Sequence, residues 1–308
     1  MQYRTLGRTG LRVSEIGFGG AVVGIANYIE PWDPYDSASQ AQVVRALHRA
    51  LDLGLNYLDT AEGYGEGISE EILGRVIGPR RGGGPGGSPG ECVVATKVTS
   101  RDPKAIRAAC EASLRRLQTD VIDVYQFHGG WYDCAASQRH DDVAAILERG
   151  GLETMLALRQ EGKIRFLGFT AEAPTGGVSR LIATGTFDVL QIRYNLMYQH
   201  ACDFVNDRGV MFEAEAQSMG IVTMRTLTSG TFQKLMTAAF GKTAAFDPPP
   251  DPTQVHRLLL QYVLSNPLVD VAIVGMRRPE EVESNVAIAE DLGGRLDLPG
   301  LHHRFADS

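Results

Sequence analysis

Three charged or titratable side chains stand at the ends of short apolar segments, and a tyrosine follows the first of them. These residues are Asp59, Lys97, His128 and, between two glycines, Tyr64. A buried Asp and Lys on neighbouring strands are expected to pair, because an unpaired buried charge is very costly. A phenol beside that ammonium is expected to have a lowered pKa and to act as a general acid towards a carbonyl oxygen. His128 is expected to donate a hydrogen bond to the same oxygen and to stabilise the negative charge that develops there.

Each of these residues also has a purely structural interpretation. An Asp–Lys pair inside a barrel is often structural, a His at a strand end can be an ordinary core residue, and a Tyr between glycines is commonly a loop residue. Convergence of all four on one site favours chemistry, and that convergence depends on the strands that carry them.

Short apolar runs alternate with helical patterns along most of the chain. The predicted strands are 13–18, 57–59, 92–97, 121–126, 164–168, 187–191, 221–224 and 271–274, and the predicted helices are 41–53, 69–77, 103–117, 152–160, 208–219, 253–264 and 279–289. This alternation predicts an α/β fold, a (β/α)8 TIM barrel formed by residues 1–308 as a single domain, with functional residues at the carboxyl ends of its strands. A doubly wound open sheet is the alternative. Residues 4–13 are predicted to form a β-hairpin that caps the bottom of the barrel.

Composition excludes several classes of function. The 308 residues contain 30 Lys and Arg against 37 Asp and Glu, a net charge of -7, which argues against a general nucleic-acid or anionic-membrane binder. No uninterrupted apolar stretch approaches about 18 residues, so no transmembrane helix is expected. The N-terminus lacks the apolar core of a signal peptide, and the four cysteines form no CxxC pair. A cytoplasmic protein with free thiols is predicted, and the sequence does not indicate its oligomeric state.

Other catalytic motifs are missing. The chain has no HxH or HExxH spacing and no GxSxG sequence, so we predict no metal site, and a metal-dependent barrel hydrolase lacks its ligand cluster. The glycine-rich segment 17–24, which contains Gly20, is only superficially similar to a dinucleotide fingerprint. No clear helix follows it, because Pro31 and Pro34 interrupt the next segment, and we interpret it as a close-approach loop after the first strand.

Five motifs in order resemble the aldo-keto reductase superfamily. They are segments 6–14, 56–65 with Ser69, Glu70 and Gly74, 95–97, 123–128, and 162–165 before 168–170, and the resemblance runs from residue 3 to about residue 290. It implies a barrel that binds NADPH in an extended pose and transfers a hydride to a carbonyl carbon. It also implies that Tyr64 is the proton donor, tuned by Asp59 and Lys97, with His128 orienting the substrate. In the oxidation direction Tyr64 would be the base.

The resemblance implies several cofactor contacts around the nicotinamide. Gln191 and Thr170 correspond to residues that bind its amide, although Ala171 replaces a frequent Asn. Met224 stands where an aromatic ring would stack, and Arg225 either reaches the pyrophosphate or pairs with a neighbouring acid. The remaining predicted contacts at this end are Gly20, Leu227, Gly230 and Gly275.

The segment 275–285 follows the last predicted strand and begins a helix, where anions bind readily. Arg277 or Arg278 is expected to bind the 2′-phosphate of NADP, and Asn285 the adenine. Glu281 stands where the family commonly has Arg or Gln, and its carboxylate would repel a 2′-phosphate or accept from a ribose hydroxyl. NADPH/NADP+ is the predicted cofactor, with NADH/NAD+ as the alternative.

The resemblance implies a small-molecule substrate, an aldehyde, a ketone or a sugar. Aromatic residues of two loops, Tyr28, Trp32, Trp131 and Tyr132, are predicted to line its pocket, and the loop 129–150 is the candidate for setting specificity. The alternative function is a cofactor-binding interaction subunit of the same fold with little turnover. The intact set of Asp59, Tyr64, Lys97 and His128 argues against that alternative.

Overall fold

The barrel predicted from the sequence is confirmed. The computed structural model describes residues 1–78, 92–130, 132–133, 142–240 and 252–306. Within this part of the chain the strands are β1 (Tyr3–Thr5), β2 (Arg12–Ser14), β3 (Ile16–Gly19), β4 (Tyr57–Asp59), β5 (Val93–Val98), β6 (Ile122–Phe127), β7 (Ile164–Ala171), β8 (Val189–Arg193), β9 (Gly220–Met224) and β10 (Val271–Gly275). Strands β3 to β10 pair in parallel in chain order, and β10 closes the barrel on β3. Their carboxyl ends therefore meet at one end of the barrel.

Helices surround the barrel and connect its strands. Their bounds are α1 (Ala21–Gly24), α2 (Ser37–Asp52), α3 (Ile68–Ile77), α4 (Pro103–Leu117), α5 (Asp142–Leu147), α6 (Gly151–Gln160), α7 (Gly176–Ala183), α8 (Val210–Ala216), α9 (Thr231–Phe240), α10 (Pro252–Leu264), α11 (Pro279–Glu290) and α12 (Leu298–Ala306). Helix α4 begins at the residue predicted from the sequence. Its start is fixed locally, because Asp102 accepts a hydrogen bond from the Ala105 amide and Pro103 occupies the first turn.

The N-terminal hairpin closes the bottom of the barrel, as predicted. Strands β1 and β2 pair antiparallel, and Leu6 and Leu11 belong to the buried cluster formed by side chains inside the barrel, including Val93 and Val271. Arg8 donates to Asp188 and to the Phe187 carbonyl, just before β8 begins. The hairpin is thus held at the bottom of the barrel by apolar burial and by the Arg8–Asp188 ion pair at the amino end of β8.

The first predicted strand, 13–18, is wrong as a single element. The structure ends the hairpin at Ser14 and begins the barrel at Ile16. Glu15 lies between them and pairs with Arg4 and Arg295, and the chain changes there from an antiparallel to a parallel partner. The helical pattern 208–219 is also shorter in the structure, where α8 covers Val210–Ala216.

Helices α1, α5, α7, α9 and α12 were not expected from the sequence. The single turn α1 directly follows the glycine-rich segment, where no helix was expected. Helix α5 lies within the segment 129–150, which was predicted as a loop. Helix α7 begins at Gly176-Gly177, two residues with poor intrinsic helix propensity, and is held by the burial of Val178 and Leu181.

Asp270 precedes β10 and accepts a hydrogen bond from the Ile221 amide at 3.0 Å. Burial raises its pKa from 3.8 to about 6. The folded state therefore keeps this proton to a higher pH than the unfolded state does. Its contribution makes the protein less stable as the pH rises from about 4 to about 6, by up to about 3 kcal/mol.

Asp270→Asn keeps the acceptor but removes this titration, so we expect a flatter dependence of the unfolding free energy on pH. Urea unfolding of both proteins between pH 4 and pH 7 measures the difference. Parallel profiles for the two proteins would show that Asp270 does not titrate in this way.

Candidate active site

A cavity of about 470 Å³ opens at the carboxyl ends of the barrel strands. Asp59, Tyr64 and His128 line it, and Lys97 lies directly behind Asp59. The strand-end positions predicted from the sequence are thus brought together in space. The cavity is enclosed on the outside by the loops that follow β3 and β9, through residues such as Tyr28 and Ser229.

Asp59 and Lys97 form a buried ion pair. The Lys97 ammonium lies 2.7 Å from Asp59 Oδ1 and also donates to the Thr60 carbonyl at 2.6 Å. Asp59 accepts a further hydrogen bond from Gln191. Burial raises the pKa of the Asp59 carboxyl and lowers the pKa of the Lys97 ammonium, and their mutual attraction opposes both effects. The expected pairing is therefore present, with donors and acceptors that satisfy each charge.

Tyr64 lies against both groups that were expected to act with it. The Lys97 ammonium is 5.0 Å from the centre of the Tyr64 ring, a cation–π distance. The His128 ring meets Tyr64 edge to face, with ring centres 5.6 Å apart. The His128 backbone is fixed by a hydrogen bond from its amide to the Val98 carbonyl.

The expected lowering of the Tyr64 pKa is wrong. Burial raises the pKa of the phenol well above its ordinary value, and the negative charge of Asp59 adds to the effect. A phenol with a raised pKa stays protonated at neutral pH, so Tyr64 carries its hydroxyl proton there.

Gln191, Thr170 and Met224 line the same cavity. Gln126 donates to Gln191 Oε1 at 2.8 Å, which orients the Gln191 amide between Asp59 and the Met224 sulfur. The Thr170 hydroxyl is hydrogen-bonded to both the amide and the carbonyl of Gly129. Strand β7 continues past its predicted end at residue 168. Thr170 in this extension holds the loop that follows His128.

A second cleft of about 550 Å³ lies beside the first and shares Val22, Ile29, Leu227 and Gly275 with it. Arg277, Glu281 and Asn285 line this cleft, and Gly230 lines the first. The two cavities therefore adjoin, and we call them together the elongated depression.

Glu281 occupies the anion position at the start of α11. Its carboxylate accepts from the backbone amides of Arg277 and Arg278, at 2.6 and 3.1 Å, and from the Arg278 side chain. Arg277 is buried, donates to the Val22 carbonyl and to Glu30, and lies over the Trp32 ring. Both guanidiniums are therefore already compensated by carboxylates.

Asn285 is held within the protein at the same cleft. Its side-chain oxygen pairs with His256 Nε2 at 2.8 Å, and its Nδ2 donates to the Glu281 carbonyl. Glu30 and His256 were not identified from the sequence, because they come from segments distant along the chain.

Three predicted residues lie elsewhere than expected. Gly20 packs beneath the site, where an added Cβ would lie 2.6 Å from Ser69 Oγ, and its neighbour Gly19 lines the cavity instead. Trp32 supports Arg277 rather than a substrate wall, with its indole donating to the Val23 carbonyl. Tyr132 is fully buried against Phe169. Large aromatic residues in loops often cover the core, and Trp32 and Tyr132 pack against it here.

Tyr28 lines the cavity as predicted, and Trp131 lies outside the described residues. Arg225 adopts the ion-pair alternative: it binds Glu172, a cavity residue that the sequence reasoning missed. Glu172 follows Thr170 by two positions, so the strand-end rule extended past β7 would have found it.

Among the described residues, His, Cys, Asp and Glu side chains form no group of three or more suited to a metal ion. Over the same residues, the helices are either too short or too polar to cross a bilayer. The described cysteines, Cys92, Cys110 and Cys202, are buried.

Comparison with known proteins identifies the family. The model of the Aldo/keto reductase family matches residues 15–246, about three quarters of the chain. The chain belongs to the aldo/keto reductase family. The eight-stranded barrel is therefore that of an aldo-keto reductase.

Similar proteins align with this aldo-keto reductase over almost their whole length. An L-galactose dehydrogenase from Arabidopsis thaliana is 26% identical, with 95% of this chain and 89% of the relative aligned. The holo form of an aldo-keto reductase from Bacillus halodurans superposes with a TM-score of 0.69 over 100% of this chain and 95% of that one, at 22% identity. An aldo/keto reductase from Klebsiella pneumoniae in complex with NADP and acetate is 25% identical, with a TM-score of 0.67 and coverage of 98% and 94%.

Proposed function

We propose that this aldo-keto reductase interconverts carbonyl compounds and alcohols with NADPH, using Tyr64 as the general acid in reduction and the general base in oxidation. The convergence of Asp59, Tyr64, Lys97 and His128 on one cavity carries the proposal. Of these side chains, the Tyr64 phenol lines the cavity and carries a hydroxyl proton at neutral pH, which it can donate to a carbonyl oxygen.

The elongated depression fits an extended dinucleotide. A nicotinamide would lie in the first cavity near Met224, Gln191 and Thr170, and the nucleoside end in the second near Arg277 and Asn285. The NADP-bound relative from Klebsiella pneumoniae supports this cofactor. When bound, the reduced nicotinamide supplies the hydride.

The protein's own residues supply the proton and the positioning. Tyr64 donates its hydroxyl proton to the oxygen that becomes an alkoxide, and His128 donates a hydrogen bond to the same oxygen. Lys97 stabilises the phenolate that remains, and Asp59 holds the ammonium in place. Because Tyr64 and His128 line the same cavity, we propose that both contact the same substrate oxygen.

Substrates of this site are small carbonyl compounds, namely aldehydes, ketones or sugars. The relative named L-galactose dehydrogenase supports the inclusion of sugars. We propose a test in which the purified chain is offered NADPH with a panel of aldehydes and ketones, and NADP+ with a panel of sugars, while the absorbance of the reduced nicotinamide is recorded. Substrate-dependent change is expected, and its absence with both phosphorylated and unphosphorylated cofactors would overturn the proposal.

Glu281 is expected to limit the affinity for NADPH, because its carboxylate lies where a 2′-phosphate would bind and already engages Arg278. Glu281→Gln keeps a side-chain acceptor for the amides at the start of α11 and removes the negative charge. We expect the KM for NADPH to fall about five- to tenfold, because one repulsion between the Glu281 carboxylate and the 2′-phosphate is removed. The change for NADH should be smaller.

Steady-state kinetics with both cofactors measure this change in preference. Glu283→Gln, on the same helix and paired with Arg49, is the matched control and should leave the ratio of the two KM values unchanged. An equal effect of Glu281→Gln on both cofactors would show that Glu281 does not discriminate the 2′-phosphate.

A further inference from the structure

One polar cluster in the active-site cavity has no part in the chemistry proposed above. It consists of Glu172, Arg225, Tyr28 and Ser229, which we call the mouth cluster, and all four line the cavity that contains Tyr64. Arg225 binds Glu172 through two nitrogens: Nε lies 3.0 Å from both carboxylate oxygens and Nη2 lies 2.7 Å from Oε1. Its remaining nitrogen donates to the Tyr28 hydroxyl at 3.1 Å and to Ser229 at 3.3 Å.

The backbone holds this cluster in place. Arg225 adopts a left-handed conformation with φ of 57°, which is unusual for a residue with a side chain, and its carbonyl accepts from Asn195 Nδ2 at 2.8 Å. The Glu172 amide donates to the Gly130 carbonyl at 2.8 Å. Arg193, from the end of β8, approaches Glu172 from another side at 3.5 Å. The bidentate pair is thus supported by Gly130 and by the segment 193–195.

The chemistry of the cluster favours hydroxyl groups over a charged group. Glu172 compensates the Arg225 charge at close range, so the pair does not offer a free cation to an anionic substrate. A guanidinium has five N–H donors, and the contacts of Arg225 to Glu172, Tyr28 and Ser229 occupy four of them, so one N–H on Nη2 remains for a substrate hydroxyl. The hydroxyls of Tyr28 and Ser229 add groups that both donate and accept. Adjacent hydroxyls of a substrate need alternating donors and acceptors of this kind.

The cluster is also close enough to the catalytic tyrosine to contact the same substrate. Arg225 and Glu172 lie near enough for their charges to act on the Tyr64 phenol, and all four cluster residues line the cavity that contains it. A carbonyl substrate held at Tyr64 and His128 would therefore share the cavity of about 470 Å³ with the mouth cluster.

We propose that the Glu172–Arg225 pair is the specificity determinant that selects carbonyl substrates with hydroxyl groups on the carbons next to the reacting centre. The inference rests on the proposed function, since it names the class of substrate that the same site accepts. Polyhydroxylated aldehydes and their cyclic forms are the expected substrates, and simple alkyl aldehydes are poor ones.

Glyceraldehyde and propanal test this selection, because they share a three-carbon chain and differ in two hydroxyl groups. The readout is the ratio of their kcat/KM values with NADPH. We expect the ratio to favour glyceraldehyde in the wild type and to fall at least about tenfold in Glu172→Gln, as expected when hydrogen bonds to a charged group are weakened. The double variant Glu172→Leu/Arg225→Met removes both charges together and should abolish the preference.

Glu161→Gln is the matched control, because Glu161 forms a similar ion pair with Arg107 at 2.7 Å on the outside of the barrel. It should leave the ratio unchanged. An unchanged ratio in Glu172→Gln would overturn the inference while the proposed function stands. A rise in the NADPH dissociation constant as large as the change in the ratio would also overturn it, because the pair would then serve the nucleotide. If the wild type reduces neither aldehyde and oxidises no sugar, the proposed function itself fails.

Discussion

Replacing Tyr64 with Phe is expected to lower kcat by about 100-fold to 10,000-fold, the range that a positioned general acid contributes, while NADPH still binds. The substitution removes only the hydroxyl. The ring keeps its edge-to-face contact with His128 and its position beneath the Lys97 ammonium, so the cavity should keep its shape. The loss is therefore expected in the chemical step rather than in assembly of the site.

Two measurements separate these effects. Turnover is followed by the absorbance of NADPH, and cofactor binding by its fluorescence. Tyr35→Phe makes the same chemical change at an exposed tyrosine and should leave kcat unaltered. If Tyr64→Phe retained wild-type turnover, Tyr64 would not be the acid. If the wild type bound NADPH but turned over no carbonyl substrate, the chain would instead be a cofactor-binding interaction subunit.

Lys97→Met is expected to lower the free energy of unfolding by about 3–5 kcal/mol, the usual cost of breaking a buried ion pair by removing one partner. The substitution leaves the Asp59 charge buried without its main partner and the Thr60 carbonyl without a donor. Adding Asp59→Asn to Lys97→Met removes the unpaired buried charge and keeps an acceptor for Gln191. The double variant should therefore recover much of the lost stability but none of the activity.

Denaturant unfolding monitored by circular dichroism measures these differences. Arg107→Met is the control, because it breaks a pair in which both side chains are 38% exposed and should cost less than about 1 kcal/mol. A loss in Lys97→Met no larger than in this control would mean that the Asp59–Lys97 pair does not carry the expected stability. Recovery of activity in the double variant would show that the pair is not needed to position Tyr64.

The fold and the position of the candidate catalytic cluster could be predicted because both follow from local rules. Helix signals such as Asp102-Pro103 and short apolar runs such as 122–127 are set by neighbours in the sequence, and a parallel barrel necessarily gathers the ends of its strands. Asp59, Lys97 and His128 therefore had to meet once their strands were assigned. Helix α7 was missed because its stability comes from packing, which propensity does not report.

Other properties depend on groups that meet only in the folded chain. The raised pKa of Tyr64 reflects the balance of burial against charges on separate strands. The compensation of Arg277 by Glu30 joins residues 247 positions apart, and the Glu172–Arg225 pair joins the ends of β7 and β9.

The amino-acid sequence by itself determined the barrel, the hairpin that closes its bottom and the four residues of the candidate catalytic cluster. These features depend on periodicity and on strand-end position. The tertiary structure alone decided which charges are compensated, whether Tyr64 keeps its proton, and which aromatic residues face the cavity. Electrostatic free energies depend on distance and burial in three dimensions, and neither quantity can be read from spacing along the chain.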